Sequence, residues 1–191
     1  MTAQVGDRFI YKEDNYSIVA ISKPIQFDPL DYGIKPVACC SACWKGYWCD
    51  YHISTKGIIL QNLYINSENE YYPEINNVSP EKKRKYMGHH FYKNINIFME
   101  YTGKILIGKD FIREYYIHMG YQRAWAYEVL EELLFDNGKL VKTIDHSEMA
   151  KKLRKELEDK PEEIKKISDN IPLFVDESFS LEMKDKAWWI K

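Results

Sequence analysis

The chain has 191 residues, with 27 Lys and Arg against 29 Asp and Glu, for a formal net charge of −2. That length builds one well-buried core, and 45% hydrophobic with 29% charged residues excludes a disordered polymer. The near-neutral balance lacks the basic excess by which a general nucleic-acid binder displaces counterions, so nucleic acid is not an expected partner.

No apolar run approaches the roughly 20 residues of a membrane-spanning helix, so no membrane association is expected. The start, Met1-Thr2-Ala3-Gln4-Val5-Gly6-Asp7, lacks the charged and apolar stretches of a signal peptide, and a cytoplasmic location is the expectation. Four cysteines, Cys39, Cys40, Cys43 and Cys49, are clustered rather than spread to staple distant segments, which points to a reducing compartment. Fifteen tyrosines and five tryptophans suit half-buried pleated surfaces, where a ring packs and its polar atom reaches water.

The first element reads as a β-hairpin, with Phe9 and Tyr11, then Tyr16, Ile18 and Ala20, alternating around a turn at Glu13-Asp14-Asn15. Residues Lys23 to Pro36 carry three prolines and Gly33 and read as an extended loop. A second hairpin follows, out along Tyr47 to Ile53, turning at Ser54-Thr55-Lys56-Gly57 and returning through Ile58, Leu60, Leu63 and Ile65. The alternation slips at Gln61-Asn62, which predicts a bulge. Asn66 to Lys93 holds no long periodic segment, and its charged run Glu81 to Lys85 reads as a short helix start or an exposed loop.

A third hairpin is predicted from Ile95, Ile97 and Met99, through Tyr101 to Lys104, to Ile105 and Ile107. Tyr115 to Met119 reads as a further strand. Trp125 to Leu140 carries two signals: Ala126, Val129, Leu130, Leu133 and Leu134 fit a helical face, while Asn137-Gly138 marks a hairpin turn. A helix or bent strand entering that hairpin satisfies both. Asp145 and Glu148 have capping-box spacing, and Met149, Leu153 and Leu157 form one apolar stripe on a Lys- and Glu-rich helix. Pro161 with Glu162-Glu163 starts a second short helix, and Trp188 and Trp189 are expected to anchor the tail.

The fold class expected is α+β: an antiparallel, hairpin-rich curved sheet or partly closed barrel, with helices in the C-terminal third. Residues 1–144 form the β-rich body, and residues 145–191 a helical segment packed on it.

Three constellations could carry chemistry. Cys40-Ser41-Ala42-Cys43 with Cys49-Asp50-Tyr51-His52 offers two pairs of zinc-type ligands. Against it, five residues separate the pairs, and Cys49 and His52 are an odd step apart on a strand, on opposite faces. No metal and no other cofactor is expected. A nucleophilic Cys43 would need a base such as His52, His89, His90 or His118, and no motif ties one to it, so no catalytic residue is assigned. Gly103-Lys104 and Gly108-Lys109 lack a Walker pattern and read as turns. The run Glu81 to Lys85, followed by Tyr86, His89, His90 and Tyr92, would suit a stacking platform for single strands, but the acidic total favours a solvated loop.

Trp44-Lys45-Gly46-Tyr47-Trp48 places large rings at the mouth of a strand, and alternation puts Trp48, Asp50 and His52 on one face. With Trp44 and His118 these are the expected binding residues.

The segments Ala42 to Tyr47, Tyr51-His52-Ile53, Gly57 to Leu60, Tyr101 to Ile107, Tyr116 to Tyr121 and Asn137 to Val141 resemble a group of bacterial β-rich proteins. That group shares W-[KR]-G-Y and Y-x-H-M-G motifs and has no established activity. The resemblance, over about residues 33–141, implies a bacterial or phage origin and a hairpin-rich sheet, and it assigns no site residue. The functional expectation is a non-catalytic protein that binds a macromolecular partner, a protein above all, as immunity and antidote proteins do. The alternative is an enzyme or small-ligand domain with its pocket in the curved sheet. A zinc module at the four ligands above is the third reading.

Overall fold

The computed structural model describes residues 2–82, 90–118 and 120–158. They form strands β1 (Arg8–Tyr11), β2 (Asp14–Ile21), β3 (Tyr47–Ser54), β4 (Gly57–Ile65), β5 (Glu81–Lys82), β6 (His90–Tyr92), β7 (Ile97–Met99), β8 (Gly103–Phe111), β9 (Tyr127–Asp136) and β10 (Lys139–Asp145), then helix α1 (Ser147–Glu158). All ten strands join one sheet in the order β10-β9-β8-β2-β1-β3-β4-β6-β5, with β7 beside the first half of β4.

The sheet is mixed, which corrects the antiparallel expectation. β1 runs parallel to β3, with Arg8 opposite Asp50, Phe9 opposite Tyr51 and Ile10 opposite His52. A parallel pair needs a long connection. Here it is β2 plus the proline-bearing loop that follows, whose Pro29–Tyr32 segment is a 3-10 turn capped by Asp28. Nothing local in the sequence announces such a pairing.

The first two hairpins and the last form as expected, with one shift. The β1–β2 turn is the two-residue Lys12-Glu13, both left-handed at φ 50° and 66°, one position before the predicted turn. Asn137-Gly138 turns β9 into β10 in the same left-handed region, at φ 48° and 79°. The predicted bulge is present: Asp50 faces Asn62 while Tyr51 faces Leu60, leaving Gln61 as the extra residue.

Three local expectations fail. The third hairpin does not form: β7 pairs with β4, whereas β8 lies between β2 and β9. β3 occupies one edge of β4, and the other edge is divided on either side of the bulge, β6 pairing with Leu63–Ile65 and β7 with Ile58–Leu60. Tyr115 to His118 is not a strand; Arg113–Tyr115 is a 3-10 turn, and the side-chain amide of Gln122 takes the Ile117 N–H and donates to its C=O, both at 2.9 Å. One side chain thus does what a neighbouring strand would have done. The region around residue 130 is strand β9, preceded by a 3-10 turn at Ala124–Ala126. Both its faces are buried, which erased the alternation that identifies a strand.

The sheet is strongly curled. Phe9 on β1 and Phe135 on β9 are three strand spacings apart, about 14 Å on a flat sheet, yet their ring centroids lie 6.1 Å apart. The inner face gathers Phe9, Tyr51, Ile58, Leu60, Ile105, Leu133 and Phe135 into the main core. The curl brings the β9–β10 turn onto the start of β4, where the Ile58 N–H donates to the Gly138 carbonyl at 3.0 Å. Gly57 permits the approach, since a Cβ there would stand 2.7 Å from that carbonyl oxygen. Among the described residues the ladders run from β10 to β5 without closing, so the sheet is mixed, curved and open.

On the outer face, α1 covers Val19, Leu106, Trp125 and Leu130 with Ala150, Leu153 and Leu157. The predicted stripe is therefore used, extended to Ala150 and Arg154, while Met149 is half-buried. Arg154 is buried and donates Nη1 to the Trp125 and Tyr127 carbonyls at 2.9 and 2.8 Å, and Nη2 to Glu128 at 3.0 Å. Asp145 accepts the Ser147 N–H at 2.8 Å, tying down the helix start. The second helix expected at Pro161 and the anchors Trp188 and Trp189 lie outside the described residues.

Candidate functional site

Alternation sends Cys49, Tyr51 and Ile53 of β3 to the main core and Trp48, Asp50 and His52 to the outer face. Asp50 is buried at 4% exposure and holds four donors. Arg8 Nε and Nη2 reach its two oxygens at 2.7 and 2.9 Å, and Asn62 Nδ2 and Tyr64 Oη donate at 3.1 Å each. The Tyr64 ring stacks between Trp48 and Phe91, at 4.8 and 4.7 Å. Burial alone would drive the proton off Arg8, but the bonds and charge of Asp50 outweigh it and hold the guanidinium above its ordinary value.

Arg8 is 43% exposed along its side chain and forms part of a 720 Å³ cleft. The cleft has the outer face of β1 and β2 at its base. One wall is the segment Ala3 to Gly6, which is tied to the cysteine loop by the Val5 N–H to the Ala42 carbonyl at 2.8 Å and by Gln4 Nε2 to the Ser41 carbonyl at 2.8 Å. The other wall is Phe111 at the end of β8, the loop after it with Arg113, Tyr116 and Tyr121, and Tyr127 at the start of β9. The Gln4 N–H to the Gly120 carbonyl at 2.7 Å joins the two walls. Burial pushes the phenols of Tyr121 and Tyr127 up, so both stay protonated donors near neutrality. Arg113 is exposed and enters no ion pair among the described residues.

The expected binding residues divide. Asp50 reaches the cleft through Arg8, and Trp48 supports that pair through Tyr64. His118 is exposed beside the cleft, its Nδ1 3.2 Å from the Tyr116 hydroxyl. Trp44 is 68% exposed and borders a separate recess with Ala38 to Ser41. His52 is half-buried beyond Asp50 and does not line the cleft; burial lowers its pKa from 6.5. Arg8, Arg113, Tyr121 and Gln122 carried no usable sequence signal, because the parallel pairing and the loop closure that assemble them are non-local.

The cysteines do not form the zinc constellation. Cys49 faces the main core, whereas Cys43 and Cys40 pack on the outer face with Trp48, so strand alternation separates them. Among the described residues no three His, Cys, Asp or Glu side chains gather around a common point. Cys43 does not have the environment of a catalytic nucleophile toward an outside substrate: it is buried, its Sγ donates to the Tyr47 carbonyl at 3.7 Å, and burial pushes its thiol up to about 11. Of the suggested stacking platform, Glu81 and Lys82 form β5, Tyr92 is buried and His90 stacks on Tyr72, while residues 83–89 lie outside the described residues. No helix among the described residues is long and apolar enough to cross a membrane.

Comparison with protein-family models, with curated proteins and with solved structures returns no match.

Proposed function

We propose that this is a non-catalytic binding protein, and that the cleft between Ala3–Gly6 and the loop after β8 receives an anionic group of a protein partner that carries a flat apolar surface beside it. The supporting observation is the pairing of two guanidiniums, Arg8 and Arg113, with four aromatic rings around one 720 Å³ space. A guanidinium recognises carboxylate or phosphate oxygens in fixed geometry, and Tyr rings bury much area with few rotors. Asp50 holds Arg8 in place before any ligand arrives, which cuts the ordering cost of binding. Neutralisation of a toxin by an antidote protein is one form such recognition takes.

Affinity capture on immobilised protein tests the reading, with Arg113→Ala and Tyr116→Ala alongside. A partner retained by the wild type and lost from both variants supports it. A partner retained equally by all three, or substrate turnover that needs Arg113, overturns it. A small organic anion is the second reading, because the volume falls within the roughly 300–1,000 Å³ of small-molecule sites. Under that reading phenyl phosphate raises the melting temperature of the wild type and not of Arg113→Ala.

A further inference from the structure

A second reactive grouping lies in the cysteine loop, beyond the cleft. We propose that Cys40 and Cys43 form a dithiol pair that exchanges with low-molecular-weight disulfides, Cys40 as the entering thiol and Cys43 as the resolving one. The Cys43 N–H donates to the Cys40 carbonyl at 3.2 Å, closing a four-residue turn over Ser41 and Ala42. Such a turn holds its end Cα atoms within about 7 Å, and a disulfide spans about 4.4–6.8 Å. Both side chains pack into the same small cluster on Trp48, Tyr64 and Phe91.

Access sorts their roles. Cys40 is half-buried and borders a 430 Å³ recess beside exposed Trp44, so a small disulfide reaches it. Cys43 is buried at 2% exposure, in the same cluster as Cys40. The high thiol pKa that burial imposes on Cys43 keeps it protonated, and hence unreactive toward outside disulfides. Cys39 hydrogen-bonds to Cys40 but is its chain neighbour, with a Cα separation of about 3.8 Å. That is below the disulfide range and marks it as a neighbour to the entering thiol, not its partner. Cys49 faces the other side of the sheet.

The exchange balances without further reagents. The Cys40 thiolate attacks one sulfur of R–S–S–R, that S–S bond breaks, and RS⁻ leaves and takes a proton from water. Cys43 then loses its proton and attacks Cys40 Sγ, which forms the Cys40–Cys43 bond and releases the second RS⁻. Two electrons pass from the protein to the disulfide, which leaves as two thiols.

The test incubates the full chain with oxidised glutathione, blocks remaining thiols with iodoacetamide and weighs the proteolytic fragment over residues 36–45. In the wild type the fragment is expected to carry one internal disulfide over Cys40 and Cys43, with exposed Cys39 blocked by iodoacetamide or carrying glutathione. Cys39→Ser is expected to keep that internal bond. Cys43→Ser is expected to trap glutathione on Cys40, and Cys40→Ser, at a half-exposed position that tolerates the change, to leave Cys43 reduced. An internal bond that survives in Cys43→Ser or Cys40→Ser overturns the assignment, as does a wild type that only accumulates the glutathione adduct or stays fully reduced.

Discussion

Removing Asp50 from beneath Arg8 tests the geometry of the cleft floor most directly. Asp50 is buried and takes four donors, whereas Arg8 is 43% exposed. The two partners are therefore not equivalent. In Asp50→Ala the guanidinium turns to water, and Asn62 and Tyr64 lose an acceptor. Breaking a buried pair by losing one member costs about 3–5 kcal/mol, and the exposure of Arg8 places this case at about 3 kcal/mol. For a chain of this size that is a fall in melting temperature of about 6–12 °C. In Arg8→Met the carboxylate stays buried with two neutral donors and cannot reach water, so the loss is larger, about 4 kcal/mol. The double variant is expected to lose at least about 1 kcal/mol less than the sum of the two. Urea unfolding followed by Trp fluorescence measures all three. An Arg8→Met that is milder than Asp50→Ala, or losses that simply add, would refute the account.

The remaining expectations use the same assays. Burial lowers the folded pKa of His52 below 6.5, so as pH falls past that value the unfolded chain takes the proton first and stability drops; His52→Gln should flatten that part of the stability–pH curve, and an unchanged slope counts against it. Gly46 has φ 78° and a Cβ there would stand 2.7 Å from Val37 backbone atoms, so Gly46→Ala should cost about 3 kcal/mol or more, read from the urea midpoint. Arg154→Met leaves the Trp125 and Tyr127 carbonyls without their donor and should cost about 2–3 kcal/mol, with a loss of helical circular dichroism before the sheet melts. Arg113→Ala, on an exposed side chain with no ion pair among the described residues, should leave stability within about 0.5 kcal/mol of wild type, which makes it a clean probe of binding.

What could be read from the chain was local. The Tyr47–Ser54 and Gly57–Ile65 strands alternate visibly, and the slip at Gln61 marked a bulge that is present. Asn137-Gly138 needs two left-handed residues, and composition alone reveals that. The face carrying Trp48, Asp50 and His52 followed from counting by twos. What it did was not legible, because Arg8 meets Asp50 across a parallel pair separated by more than 40 chain positions. The loop over residues 115–118 misled for the opposite reason: its aromatic residues have strand character, but Gln122 satisfies the backbone in place of a neighbouring strand. β9 was ambiguous because Leu130 faces α1 while Leu133 faces the inner core, so both periods were partly present.

The parallel pairing of β1 with β3 makes the sheet two antiparallel ladders joined along three residue pairs. That joint has three pairs against eight in the β8–β9 ladder, and its amides should exchange with solvent sooner than those of β8–β9. During synthesis the joint waits until the chain has passed residue 52, by which time β1 already has β2 as a neighbour. Arg8 spans this joint and also borders the cleft. Every residue that lines the cleft lies on the β1 side of the joint, so an anion bound by Arg8 would share its guanidinium with Asp50 and bear on the joint through that one pair.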